Sequence, residues 1–254
     1  HAIGELAQEV LSGTDTGFPV AGQRMAMVPV NIEEFGDGLD IEPEQVRIYL
    51  ALREAARMRL YANSPWLARD LTAMVQQYAA GITIDVSAIE DAVQTLDPMD
   101  PESMNQMFSS SMFIPEPEGA QKAAIEHLET LLALVEGWVD VVVTQAAKPL
   151  ESADALREMI NRRRASGGPA EHAFGSLVGL DLRPRRLNDA AELWVTIEDS
   201  EGKEYRDAIW ESQLRLPTEE DLDDPQGYVK RRQTAAEQSA SLDEDLKKLL
   251  EGGY

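Results

Sequence analysis

Apolar positions along this chain fall mainly at helical spacing. Val46, Tyr49, Leu50, Arg53, Arg57, Leu60 and Tyr61 share one face at about 100° per residue, which predicts a helix from Pro43 to about Asn63. Proline is well placed in a first turn, where its missing N–H is not needed, and Ser64-Pro65 ends the run. The opposite side (Ile48, Ala51, Leu52, Ala55) is apolar too, so this helix is expected to be buried nearly all round. A second helix runs from Pro65 to Ala80 and stops at Gly81, and a third, short one covers Asp85 to Val93. Residues 97–119 read as a connector with a short helix near Glu102–Phe108. A long helix follows from about Ala120 to Gln145. The next is capped by Ser152 and closes on Arg162-Arg163-Arg164, cations that suit the negative end of a helix dipole. Another spans Pro184 to Val195 and ends near Gly202, with one or two further turns from Glu204 to Trp210.

The ends of the chain read differently. Residues 1–11 form a helical remnant that stops near Gly13. Residues 14–32 hold glycine, proline and the β-prone run Met25 to Val30, where Pro29 permits an edge strand at most. From Pro217 on, acidic and polar residues dominate and predict a solvated tail. Its short helix, Leu246–Leu250, follows a capping box at Ser241–Glu244 and offers an apolar stripe (Leu242, Leu246, Leu249, Leu250) to a partner. The whole pattern predicts a mainly α protein with a small irregular β element near residues 14–32, a domain over 1–216 and an acidic tail over 217–254. Because His1 lies inside a helical pattern and is not methionine, the sequence is expected to be a truncated or processed form.

Composition sharpens this picture. The apolar share is 43% of 254 residues, enough for a real core. A net charge of −23 argues against nucleic acid or anionic membrane as partners of the whole surface, since both require clustered cations. A basic or neutral protein partner fits. There is no cysteine, hence no disulfide framework and no thiolate metal site. With no signal peptide pattern, the expected location is cytoplasmic. The longest apolar stretch, Leu131 to Val143, carries Glu136 and Asp140 and reads as a buried helix rather than a membrane span.

Candidate chemistry concentrates in two helices. Arg53-Glu54-Ala55-Ala56-Arg57 has the frame of the zinc-protease motif His-Glu-x-x-His, with arginine at both histidine positions. A guanidinium stays protonated and has no lone pair for a metal. On the long central helix, Glu129, Leu132, Ala133, Glu136, Asp140 and Val143 share a face. Carboxylates in such apolar surroundings require partners. The two helices are therefore expected to face each other, with Arg53 and Arg57 neutralising Glu136 and Asp140. His127 lies on the Glu136 helix but about 180° around it, and the only other histidines are His1 and His172. The Met104, Met107, Phe108, Met112 and Phe113 cluster reads first as core filling and second as a binding surface. Arg162–Arg164 and Arg183, Arg185 and Arg186 read as solvated or internally paired, with an anion or partner site as the alternative. Ser166-Gly-Gly-Pro169 reads as a plain turn.

Those helices carry a family resemblance. Val46–Ala56, Leu60-Tyr-Ala-Asn-Ser-Pro-Trp-Leu67, Leu134-Val-Glu-Gly-Trp-Val-Asp140, Arg162–Glu171 and Leu182-Arg-Pro-Arg-Arg186 resemble the zincin-like, zinc-dependent metallopeptidase family of actinobacteria over roughly residues 5–230. Family members carry more chain on the N-terminal side. The resemblance implies that Arg53, Arg57 and Glu136 stand at the metal-ligand positions. It puts Glu54 at the position of the general base that activates the metal's water. With two of three ligands replaced, the expected protein is a catalytically degenerate homologue that holds no metal and acts by binding or scaffolding other proteins. The alternative is a zinc-dependent peptide hydrolase with unusual ligands, zinc being the cofactor only in that case.

Overall fold

A single helix, α5 (Gly119–Ala146), organises the molecule, and its residues from Leu131 through Val141 are buried without a break. A helix that is apolar all round belongs in the middle of a bundle. The computed structural model describes residues 2–19, 21–22, 24–81, 118–165 and 186–251. In chain order the other helices are α1 (Ala2–Glu9), α2 (Pro29–Gly36), α3 (Pro43–Asn63), α4 (Pro65–Ala80), α6 (Ala153–Ala165), α7 (Leu187–Glu201), α8 (Lys203–Ala208), α9 (Glu219–Asp223) and α10 (Pro225–Glu251). Short 3₁₀ turns at Ile209–Glu211 and Gln213–Arg215 link α8 to α9. The fold is mainly α, and among the described residues there is no strand, only one antiparallel bridge between Ser12 and Met27. No helix among these residues is long and apolar enough to cross a membrane.

α5 packs against α7, α4, α3 and α6. Its approach to α7 is closest at Gly137, where a Cβ would lie 2.7 Å from the backbone of Ala190 and Ala191. Only glycine lets the two backbones meet there. Around this contact the tryptophans assemble. Trp194 stacks on Trp210 with ring centroids 5.3 Å apart, and Trp138 meets Trp210 edge-on at 6.4 Å. Trp194 donates to the Leu134 carbonyl at 2.8 Å. Ser64 and Trp66, at the break between α3 and α4, donate to the Trp210 carbonyl at 2.8 and 2.9 Å.

Several expectations need correction. Pro29 and Val30 open helix α2 instead of closing a strand, because proline at a first turn has no N–H to lose. The β element shrinks to the Ser12–Met27 bridge, flanked by Gly13 N–H to Ala26 O (2.9 Å) and Val28 N–H to Leu11 O (3.0 Å). α3 is not buried all round. Ile48 is 41% exposed, and Ala51, Leu52 and Ala55 are only partly covered. The expected tail from Pro217 begins with structure: Thr218 and Asp221 form a capping box for α9, and Leu222, Tyr228 and Val229 are buried. α10 then continues unbroken to Glu251, so the capping box at Ser241 lies inside a helix. The expected helices at 85–93 and 102–108, the Met/Phe cluster, His172, Ser166–Pro169, Arg183 and Arg185 lie outside the described residues.

Candidate functional site

α3 and α5 meet at their charged positions. Arg57 grips the Glu136 carboxylate with two parallel bonds, Nε to Oε1 at 2.7 Å and Nη2 to Oε2 at 2.9 Å. Arg53 Nη2 adds a third bond to Oε2 at 2.8 Å. All three side chains are essentially sealed from solvent (2%, 2% and 1% exposed). Such fork geometry suits arginine and no other cation. The structure thus brings Arg53, Arg57 and Glu136 together.

A third arginine completes the cluster. Arg164, at the end of α6, places Nη1 3.3 Å from Glu136 Oε2 and Nη2 3.6 Å from Asp15 Oδ1. It also donates to the Asp15 carbonyl at 2.9 Å. Asp15 accepts from Arg163 Nη1 at 3.1 Å and from the Leu11 amide at 2.9 Å. Of the triple arginine expected to be solvated or internally paired, Arg162 stays on the surface with Glu158 while Arg163 and Arg164 pair internally. A signal was present: Leu156, Ile160 and Arg164 recur at a spacing of four and form the buried stripe of α6. Asp15 left no such trace, because a lone acid in an irregular loop has no periodicity to reveal its direction.

Glu54 acts on Arg57 through its charge and is bonded by Thr14 and Ala26. Its Oε2 accepts from the Thr14 hydroxyl at 2.5 Å and the Thr14 amide at 3.2 Å, and Oε1 from the Ala26 amide at 3.3 Å. The side chain has no solvent exposure. Gly13 allows this closure, since a Cβ there would come within 2.9 Å of Ala21 Cβ and 3.4 Å of Glu54 Oε1. Asp140 requires a correction. One turn along α5 from Glu136, its carboxylate pairs with Arg157 of α6 (Nε at 3.0 Å, Nη2 at 2.6 Å) and not with Arg53 or Arg57. α6 packs on this turn of α5 and supplies a nearer fork. His127 is also remote from the cluster and faces Asp70 of α4, Nε2 to Oδ2 at 3.0 Å.

The electrostatics follow from this arrangement. Burial alone would raise the Glu136 carboxyl, but Arg164, Arg57 and Arg53 outweigh it and hold the group well below the usual carboxylate range. Burial opposes ionisation of Asp15 too, and Arg163, Arg164 and Arg57 overcome it, so that its carboxyl is also lowered. Burial lowers Arg57, yet Glu136 prevails and raises it. Arg164 goes the other way: burial, aided by repulsion from Arg57 and Arg53, pulls it down to about 10, still protonated at neutral pH. Four guanidiniums, Arg53, Arg57, Arg163 and Arg164, thus surround three carboxylates, Glu136, Asp15 and Glu54. Arg53 Nη1 and Arg164 Nε remain without a hydrogen-bond partner.

The family model for zincin-like metallopeptidase matches residues 1–229. This chain belongs to that family. Among solved structures, it is similar to the crystal structure of "a putative hydrolase with a novel fold from Chloroflexus aurantiacus", with a TM-score of 0.63 at 18% identity over 91% of this chain. The chain spans 66% of that protein's length, and a likeness at this identity speaks to the fold alone. No curated protein matches.

The residues present do not fit the zinc of a zincin site. Two of the three positions that the resemblance gives to ligands carry guanidinium groups without a lone pair. At the third, both Glu136 oxygens are engaged by arginine. Among the described residues, no three His, Cys, Asp or Glu side chains come close enough together to hold a metal ion. Glu54 is buried, with its carboxylate oxygens accepting from Thr14 and Ala26.

Proposed function

We propose that this protein is a catalytically silent member of its family, in which an arginine–carboxylate cluster stands where relatives hold zinc, and that it works by binding other proteins. One observation carries the reading: Arg53 and Arg57 both bond Glu136 directly, so that permanent cations of the chain neutralise the carboxylate that a metal would otherwise balance. The cluster then keeps the packing of a zincin core while removing its reactive centre. The missing cysteines fit work in the reducing cytoplasm, and the acidic surface fits a basic or neutral protein partner.

Elemental analysis of the purified protein tests the first half. Zinc well below one equivalent is expected, together with no peptidase activity that a chelator or Glu54→Gln abolishes. Stoichiometric zinc would defeat the proposal. Gain of function supplies a sharper arm. Arg53→His and Arg57→His, combined with Arg164→Met to free Glu136, should create a zinc site that the native chain lacks.

A further inference from the structure

The described surface holds a second place where apolar and acidic groups converge, well away from the arginine cluster. On α5, His127 lies nine residues before Glu136, roughly 13 Å along the helix and on its other side. Here the turn Gln213–Arg215 and the start of α9 lean over α5 and enclose a pocket of about 260 Å³. Its inner wall is apolar: Leu131 and Leu134 are buried, as is Pro217, and Leu216 is half-buried. The mouth is acidic, with Glu126 and Glu219 both exposed.

The wall is held in place by Asp70. Its Oδ2 accepts from His127 Nε2 and from Gln213 Nε2, each at 3.0 Å, which ties α4, α5 and the 3₁₀ turn together. Beside Gln213 stands Leu214, 93% exposed, more than any other large apolar side chain described. The nearby cations are otherwise engaged: Arg186 with Asp189 and Asp223, and Arg215 with Glu211. Among the described residues, the Glu126 carboxylate pairs with Lys122 alone, at 3.8 Å between two largely exposed groups. Such a pair contributes little and exchanges readily.

We infer that this pocket and Leu214 form a docking surface for a partner segment that carries a lysine or arginine beside an aliphatic residue. The side chain's methylene stem lies along Leu216, over the floor that Leu131 and Leu134 underlie, and its charged head reaches Glu126 and Glu219 at the rim. The aliphatic neighbour covers Leu214. An apolar anchor ringed by polar groups is how interfaces concentrate their binding energy. The chain's net charge of −23 adds long-range attraction for a basic partner. This inference rests on the protein-binding reading above and names its surface and partner chemistry.

The test is to pan a phage-displayed random dodecapeptide library on the full chain at low salt and to measure the selected peptides by fluorescence anisotropy. Peptides with lysine or arginine next to Leu, Ile, Val or Met should be enriched. Leu214→Ser and the pair Glu126→Gln/Glu219→Gln should each weaken their binding about tenfold, with melting temperatures unchanged because all three residues are exposed. Selection of peptides without cations, or no selection at all, would overturn the inference. So would peptides indifferent to these variants, an outcome that leaves protein binding standing and removes only this surface. Zinc-dependent cleavage of the peptides would instead bring down the underlying reading.

Discussion

The two sides of α5 solve the same problem by opposite means. Toward α3 and α6, Glu136 and Asp140 are buried as carboxylates and matched by arginines. Toward α7, Trp138 joins Trp194 and Trp210 in an aromatic stack, with one buried cation, Arg206, over the Trp138 ring and paired with Glu198 and Asp207, and Gly137 lets the helices touch. The apolar side gains from every methylene it hides and tolerates imperfect pairing. The charged side has no such tolerance: it is stable only while each charge keeps its partner. Where α5 keeps carboxylates in the interior, each is held by a guanidinium fork.

This contrast can be broken experimentally. Glu136→Ala removes the acceptor of three arginines, and a loss of about 3–5 kcal/mol is expected in urea-monitored unfolding. An unchanged melting temperature would mean that the cluster carries no stability. Replacing Arg53, Arg57 and Glu136 together by Met, Met and Leu should do less damage than Glu136→Ala alone, because only Arg164 then loses a partner and it keeps Asp15. On the other side, Trp194→Ala should also lose about 3–5 kcal/mol through lost packing, but no second substitution that merely removes charge should rescue it. Gly137→Ala is expected to cost about 1–3 kcal/mol by forcing α5 and α7 apart, seen as a lowered melting temperature with both clusters chemically intact.

Acid should separate the two sides more gently. Glu136 and Asp15 both have folded-state pKa values below their ordinary ones of 4.5 and 3.8. Their stabilising contribution is therefore complete above about pH 5 and is lost as the pH falls below those ordinary values toward the lowered ones. Native stability should decline across that range. The Met/Met/Leu variant, lacking Glu136 but keeping Asp15, should decline less steeply, and equal slopes would exclude Glu136 as a contributor.

Much of this fold is written in local pattern. α3 and α4 begin at Pro43 and Pro65 and end at Asn63 and Ala80, where proline and glycine mark them in sequence. The contact of Arg53 and Arg57 with Glu136 was legible because ions on apolar faces demand each other. The remaining partners were not. Arg157 and Arg164 reach α5 from a helix whose two other arginines differ again, Arg162 exposed and Arg163 turned to Asp15, and composition cannot tell these apart. Thr14 and Asp15 sit in a loop, where neither direction nor depth follows from periodicity. α2 was hidden by Pro29, which reads equally as a strand breaker and a helix starter. α10 was hidden by its polarity, since a helix that projects mostly into solvent shows little apolar stripe.

Because one helix carries both assemblies, they share a single mechanical setting. Glu136, Gly137 and Trp138 are consecutive, so any roll of α5 moves the carboxylate and the indole together around one axle. Turning it far enough to loosen the arginine fork would drive the indole into its neighbours, and the glycine between them leaves no slack. The angular position of this rod is thereby fixed from opposite flanks, as a shaft is centred between two bearings.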